Sequence, residues 1–153
     1  MSALATPITL ELDAARQFDF WLGEWDCTWH ADGLEHRGTN SVYLDLGHVI
    51  VENFDGRPSL DFQGLSFSVY DRKAHCWKQT WVDSEGSYLD FAGSFEHGVM
   101  ELRRIGEVDG APAWFRMRWE NVEPNSFDWS WQRSGDDGET WTALWEIEYR
   151  RVL

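Results

Sequence analysis

Phe127-Asp128-Trp129-Ser130-Trp131-Gln132-Arg133 leads through Ser134-Gly135-Asp136-Asp137-Gly138-Glu139 into Thr140-Trp141-Thr142-Ala143-Leu144-Trp145-Glu146-Ile147-Glu148-Tyr149-Arg150-Arg151. In the first arm Phe127, Trp129 and Trp131 alternate with Asp128, Ser130 and Gln132. In the second, Trp141, Ala143, Trp145, Ile147 and Tyr149 alternate with Thr142, Glu146, Glu148 and Arg150. A period of two places the bulky side chains on one face of a strand and the polar ones on the other. Two such arms joined by Gly and Asp read as a hairpin.

The same pattern extends upstream. Strand-like runs lie near Glu24–His30, Gly38–Leu46, His48–Phe54, Asp61–Tyr70, His75–Val82, Ser87–Phe95, Val99–Ile105 and Pro112–Asn121. Turn chemistry separates them, as in Ala31-Asp32-Gly33, Asp55-Gly56-Arg57-Pro58, Ser84-Glu85-Gly86, Glu96-His97-Gly98 and Asp109-Gly110. Short strands at about 8–12-residue spacing with no helix between them predict an all-β, antiparallel up-and-down barrel of about nine or ten strands. Closure removes the exposed edges. One short helix is predicted ahead of the barrel, near Glu11–Trp21, with Thr9 as N-cap, a Leu12, Ala15 and Phe18 stripe, and Gly23 as its stop. Residues 1–153 read as a single domain, with 1–10 as a flexible lead.

Composition narrows the partners. Lys and Arg number 13 against 27 Asp and Glu, for a net charge of -14. That balance argues against nucleic acid and against an anionic membrane surface, both of which attract clustered cations. It favours a neutral or cationic ligand over a multiply anionic one, unless Arg116 or Arg118 acts locally. The N-terminal residues form no signal-peptide pattern, which predicts a cytoplasmic protein, either monomer or homodimer. Cys27 shares parity with Trp25 and Trp29, and Cys76 with Lys78 and Thr80, so the two point to different faces and read as free thiols. No CxxC, HxH or HExxH occurs, so no metal and no cofactor are expected. A haem held by His48 or His75 stays open at this level.

The candidate site comes from strand parity. Trp77 and Trp81 flank Gln79, while Trp119, Trp129 and Trp145 lie on the apolar faces of their runs. Any one Trp can serve as core packing, but 11 in one domain exceed what a core of this size needs. The excess predicts a cavity walled by Trp77, Trp81, Trp119, Trp129 and Trp145, with Asn40, Glu52 and Gln79 as polar contacts. Glu52 shares its face with His48, Ile50 and Phe54, whereas Val49 and Val51 take the other parity, so either face can be inside. Set among apolar groups, Glu52 is the candidate acid–base residue; paired with Arg116 or Arg118, or facing water, it is structural.

Phe18-Asp19-Phe20-Trp21-Leu22-Gly23-Glu24-Trp25-Asp26 resembles the opening of a bacterial family of calycin-like barrels of uncharacterised function, known as the DUF1579 family. Gly38 with Asn40, Val51-Glu52-Asn53-Phe54, Gly64-Leu65-Ser66, Tyr70-Asp71, Trp77-Lys78-Gln79-Thr80-Trp81-Val82-Asp83 and the closing Ser134–Trp141 follow in order, from about Phe18 to Arg150. The resemblance implies a fold and carries no activity. Gly23-Glu24-Trp25 also resembles the Gly-x-Trp signature of lipocalins, which implies an Arg from the last strand, Arg150 or Arg151, over the Trp25 ring. Ser134-Gly135-Asp136-Asp137-Gly138-Glu139-Thr140-Trp141 resembles the Asp-box, a turn in which Asp136 accepts backbone N–H groups and Trp141 packs beneath. Two functions follow as expectations, with a structural or partner-binding role left open beside them. One is a binding protein for a small hydrophobic, aromatic or lipid-like molecule. The other is a cofactor-free isomerase, cyclase or lyase with Glu52 as acid–base.

Overall fold

Each alternating run becomes a strand. The computed structural model describes residues 13–153, and Thr9, Leu12 and the 1–10 lead lie outside them. The strands are β1 (Gly23–Ala31), β2 (Leu34–Asp45), β3 (Val49–Asp55), β4 (Gln63–Asp71), β5 (Cys76–Asp83), β6 (Tyr88–Glu96), β7 (Val99–Val108), β8 (Ala111–Glu123), β9 (Ser126–Ser134) and β10 (Thr142–Arg151). Each pairs antiparallel with its sequence neighbours, and β1 pairs with β10, closing an up-and-down barrel. Among the described residues no helix is long and apolar enough to cross a membrane.

A short helical segment precedes the barrel, but not as one continuous helix over Glu11–Trp21. It is two single 3-10 turns, Ala14–Arg16 and Asp19–Trp21. Asp13 caps the first by accepting the Ala15 N–H at 3.1 Å. Phe18 and Trp21 are both fully buried, and three residues per turn keeps an i, i+3 pair on one side. Phe18 stacks on Trp21 at 4.7 Å and meets Trp77 and Trp119 edge-on at 5.3 and 5.0 Å. This aromatic plug closes one end of the barrel.

A clamp at the same end joins the first strand to the last. Trp25 is buried, and its Nε1 donates to the Trp21 carbonyl at 2.8 Å. The Arg151 guanidinium lies 4.3 Å from the Trp25 ring centroid and donates to the carbonyls of Leu22 and Phe20 at 2.6 and 3.2 Å. Arg150 instead pairs with Glu148 at the surface. Gly23 makes the clamp possible: its φ is +136°, and a Cβ there would sit 2.3 Å from an Arg151 amino nitrogen.

One alternation misleads. A bulge between Ala143 and Trp145 leaves Ala143 opposite Gln132, while Trp145 is opposite the inward Trp131. The extra residue resets parity, so Trp141 and Ala143 do not share the face of Trp145. Trp141 packs outside, with the guanidinium carbons of Arg116 and Arg103 at 4.0 and 5.2 Å from its ring. The Asp-box forms as its residues suggest. Ser134 and Thr140 both hydrogen-bond the Asp136 carboxylate, which holds its pKa down to about 2. Gly138, at φ +86°, completes the turn and its carbonyl accepts Trp141 Nε1 at 3.0 Å.

Candidate functional site

Inward residues above the plug do not meet at the barrel axis. They leave a cavity of about 380 Å³ that opens at the end opposite the plug. Trp81, Trp129, Trp131 and Trp145 form much of its wall, with Phe54 and Phe91 between them, and Trp119 lies at its floor against the plug. Trp145 sits at the centre of the aromatic contacts, edge-on to Trp29, Phe54 and Trp129 at 5.5, 5.6 and 5.8 Å. Such edge-on pairs contribute about 0.5–1.5 kcal/mol each beyond burial and hold the wall rigid. The volume lies within the range of small-molecule sites.

Glu52 is the carboxyl deep in this cavity. Inward parity belongs to Ile50, Glu52 and Phe54, and Glu52 is only 6% exposed. Its Oε1 accepts from Ser66 Oγ at 2.7 Å, and its Oε2 from Asn40 Nδ2 at 2.6 Å. Asn40 Nδ2 also donates to the Tyr149 hydroxyl at 3.0 Å. Burial pushes the Glu52 pKa up from 4.5 to about 7, against the lowering effect of the Ser66 and Asn40 hydrogen bonds. Burial likewise raises the Cys27 thiol and the Tyr149 hydroxyl, so both stay protonated beside it.

The expected pairing of Glu52 with Arg116 or Arg118 does not form. Both arginines lie on the outer face, where Arg116 bonds Glu101 Oε1 at 2.9 Å and Arg118 approaches the same oxygen at 3.6 Å. Opposite parity to Met117 and Trp119 sends them out. Among the described residues no Lys, Arg or His forms an ion pair with Glu52.

Of the expected site residues, Glu52, Trp81, Trp119, Trp129 and Trp145 line the cavity. Trp77, Asn40 and Gln79 do not. Trp77 is enclosed by the plug, donating its Nε1 to the Ala14 carbonyl at 3.1 Å. Asn40 acts one layer back, as the donor that holds Glu52. Gln79 is buried and donates to Ser68 Oγ at 3.0 Å, with its Oε1 unpartnered. Missing from the expectation were Trp131 and Tyr149, which parity already placed on the right face, and the mouth residues. Leu60 and Phe62 come from the β3–β4 loop and Glu85 and Ser87 from the β5–β6 connection, where alternation says nothing.

The two histidines weighed as axial haem ligands do not face the cavity. His48 and His75 lie exposed at the β2–β3 and β4–β5 turns, near the plugged end. Among the described residues no cluster of three or more His, Cys, Asp or Glu is placed to hold a metal ion. Cys27 faces the interior and Cys76 begins β5; both are free.

The fold and site define a closed ten-stranded antiparallel barrel with one plugged end and, at the other, an aromatic cavity with one carboxyl at depth, Glu52. No family model matches the chain, and no curated protein matches it.

Proposed function

We propose that this protein binds one small hydrophobic molecule, aromatic or lipid-like, inside the barrel. The cavity of about 380 Å³ carries the reading, because its volume falls in the range of small-molecule sites and its walls are aromatic. A polar group at depth orients the occupant. The Arg151–Trp25 clamp and the plugged end support membership among lipocalin-like barrels of the DUF1579 kind, although ten strands exceed the eight of lipocalins. Two free thiols support a cytoplasmic location.

N-phenyl-1-naphthylamine, an uncharged probe, tests the cavity. Saturable one-to-one binding with quenching of protein Trp fluorescence is expected, and unsaturable binding refutes the reading. Gly64→Ala provides a geometric check. A Cβ at Gly64 would fall 2.0 Å from the Trp81 ring, so the indole must move and reshape the wall. Affinity for the probe is expected to drop about tenfold, equivalent to about 1.4 kcal/mol. Unchanged affinity removes Trp81 from the site.

A second reading is favoured by one observation: a carboxyl with a pKa of about 7 faces the cavity. A group poised there can shuttle a proton in an isomerase, cyclase or lyase that needs no cofactor. In that case Glu52→Gln abolishes conversion while probe binding persists.

A further inference from the structure

We propose that the occupant of this cavity carries a protonated amine, with its apolar body against the Trp wall and its ammonium group on Glu52. The inference rests on the binding reading above and names the chemical class of its ligand.

Three features of the site converge on a cation. Glu52 is only 6% exposed and accepts two hydrogen bonds, yet no cationic side chain pairs with it among the described residues. Buried charges are normally paired, so the ionised carboxylate lacks the partner that a ligand can bring. The wall around it is aromatic, and the negative faces of indole rings attract ammonium groups. At the mouth stand two more carboxyls, Asp83 and Glu85. Although its own burial opposes ionisation, Asp83 is held below its ordinary pKa by hydrogen bonds from Trp81 Nε1 and the backbone N–H groups of Ser87 and Glu85. The net charge of -14 adds to that field. Arg104, on the inward parity of β7, lies 6.0 Å from the Phe91 ring centroid and makes no ion pair with Glu52. It is the group through which an acidic ligand would compete.

Three probes separate the possibilities: 4-phenylbutylamine, 4-phenyl-1-butanol and 4-phenylbutyrate share one body and differ in the end group. Calorimetric titration of the full chain at pH 8 is expected to give at least tenfold tighter binding for the amine than for the alcohol. The acid is expected to bind more weakly than either. Glu52→Gln should abolish the preference for the amine, bringing its affinity to that of the alcohol measured on the same variant. A wild-type measurement stands beside the variant. Near pH 7 amine binding should release about half a proton, because pairing ionises a Glu52 that is about half protonated there. The alcohol should release none. If the alcohol binds and the amine binds no better, or the acid binds best, the amine inference is overturned and the cavity reading stands. If none of the three binds, both fall. Tight amine binding without proton release overturns the assignment to Glu52.

Discussion

Glu52→Gln is expected to make the protein more stable at pH 8 by about 3 kcal/mol and no more stable near pH 4. The size follows from a carboxyl moved from 4.5 to about 7, at about 1.4 kcal/mol per pH unit. The sign follows from proton binding. Between these values the folded chain holds a proton on Glu52 that the unfolded chain releases, so rising pH favours unfolding. The stabilising contribution of the protonated carboxyl is complete below about pH 4.5 and gone above about pH 7. Asn40 faces Glu52 from β2, Ser66 from β4, Tyr149 from β10 and Cys27 from β1, and none of them titrates in that interval. Asp71 and Asp136, both held down to about 2, lose their contributions only at lower pH. Gln keeps the shape and an acceptor for Ser66, and the unpartnered Asn40 Oδ1 can accept from its amide after a flip. Urea denaturation of both proteins from pH 4 to 8 checks this. Equal stability at pH 8 would mean that Glu52 finds water or a counter-charge in the folded chain.

Trp25→Ala is expected to destabilise by about 3–5 kcal/mol, a large share of the about 5–15 kcal/mol that holds a domain together. The indole is buried against Phe127 and Tyr149, at 4.8 and 6.1 Å between ring centroids, and no neighbour can collapse into its place without breaking that packing. Arg151→Lys isolates the clamp from the burial. Lys keeps the charge but not the planar fork that reaches Leu22 and Phe20 together. A loss of about 1.5–3 kcal/mol is expected from the Leu22 and Phe20 pair, of which Lys recovers one hydrogen bond. The third, from Nε to the Pro124 carbonyl at 3.1 Å, is exposed and adds little. Denaturant midpoints for the two variants measure both effects. A Lys variant as stable as wild type would assign the closure of the barrel to β1–β10 pairing alone.

Alternation made the ten strands legible, because the period of two is written within each run and needs no knowledge of its neighbours. The turn residues, the Asp-box and the Gly23–Trp25 signature were legible for the same reason: each depends on atoms a few residues apart, with Arg151 as the single distant partner. Parity alone also placed Trp81, Trp119, Trp129 and Trp145 on the faces that became the cavity wall.

Other features depended on closure. Whether Glu52 or Val51 faced inward was undecided within β3, and closure brought Asn40, Ser66 and Tyr149 around Glu52 in the cavity while Arg116 and Arg118 paired with Glu101 outside. Trp77 shares its strand face with Trp81 yet left the site, because the plug from the other end of the chain covered it. The bulge at Ala143–Trp145 reversed Trp141, and the β3–β4 loop carried Phe62 inward against Trp145 at 6.0 Å. Local conformation and the sharing of a face follow from backbone geometry over a few residues, so both could be read along the chain. Which face is enclosed, which aromatic is covered and which charge stays unpaired depend on contacts between segments far apart in the chain, and those arise only on closure of the barrel.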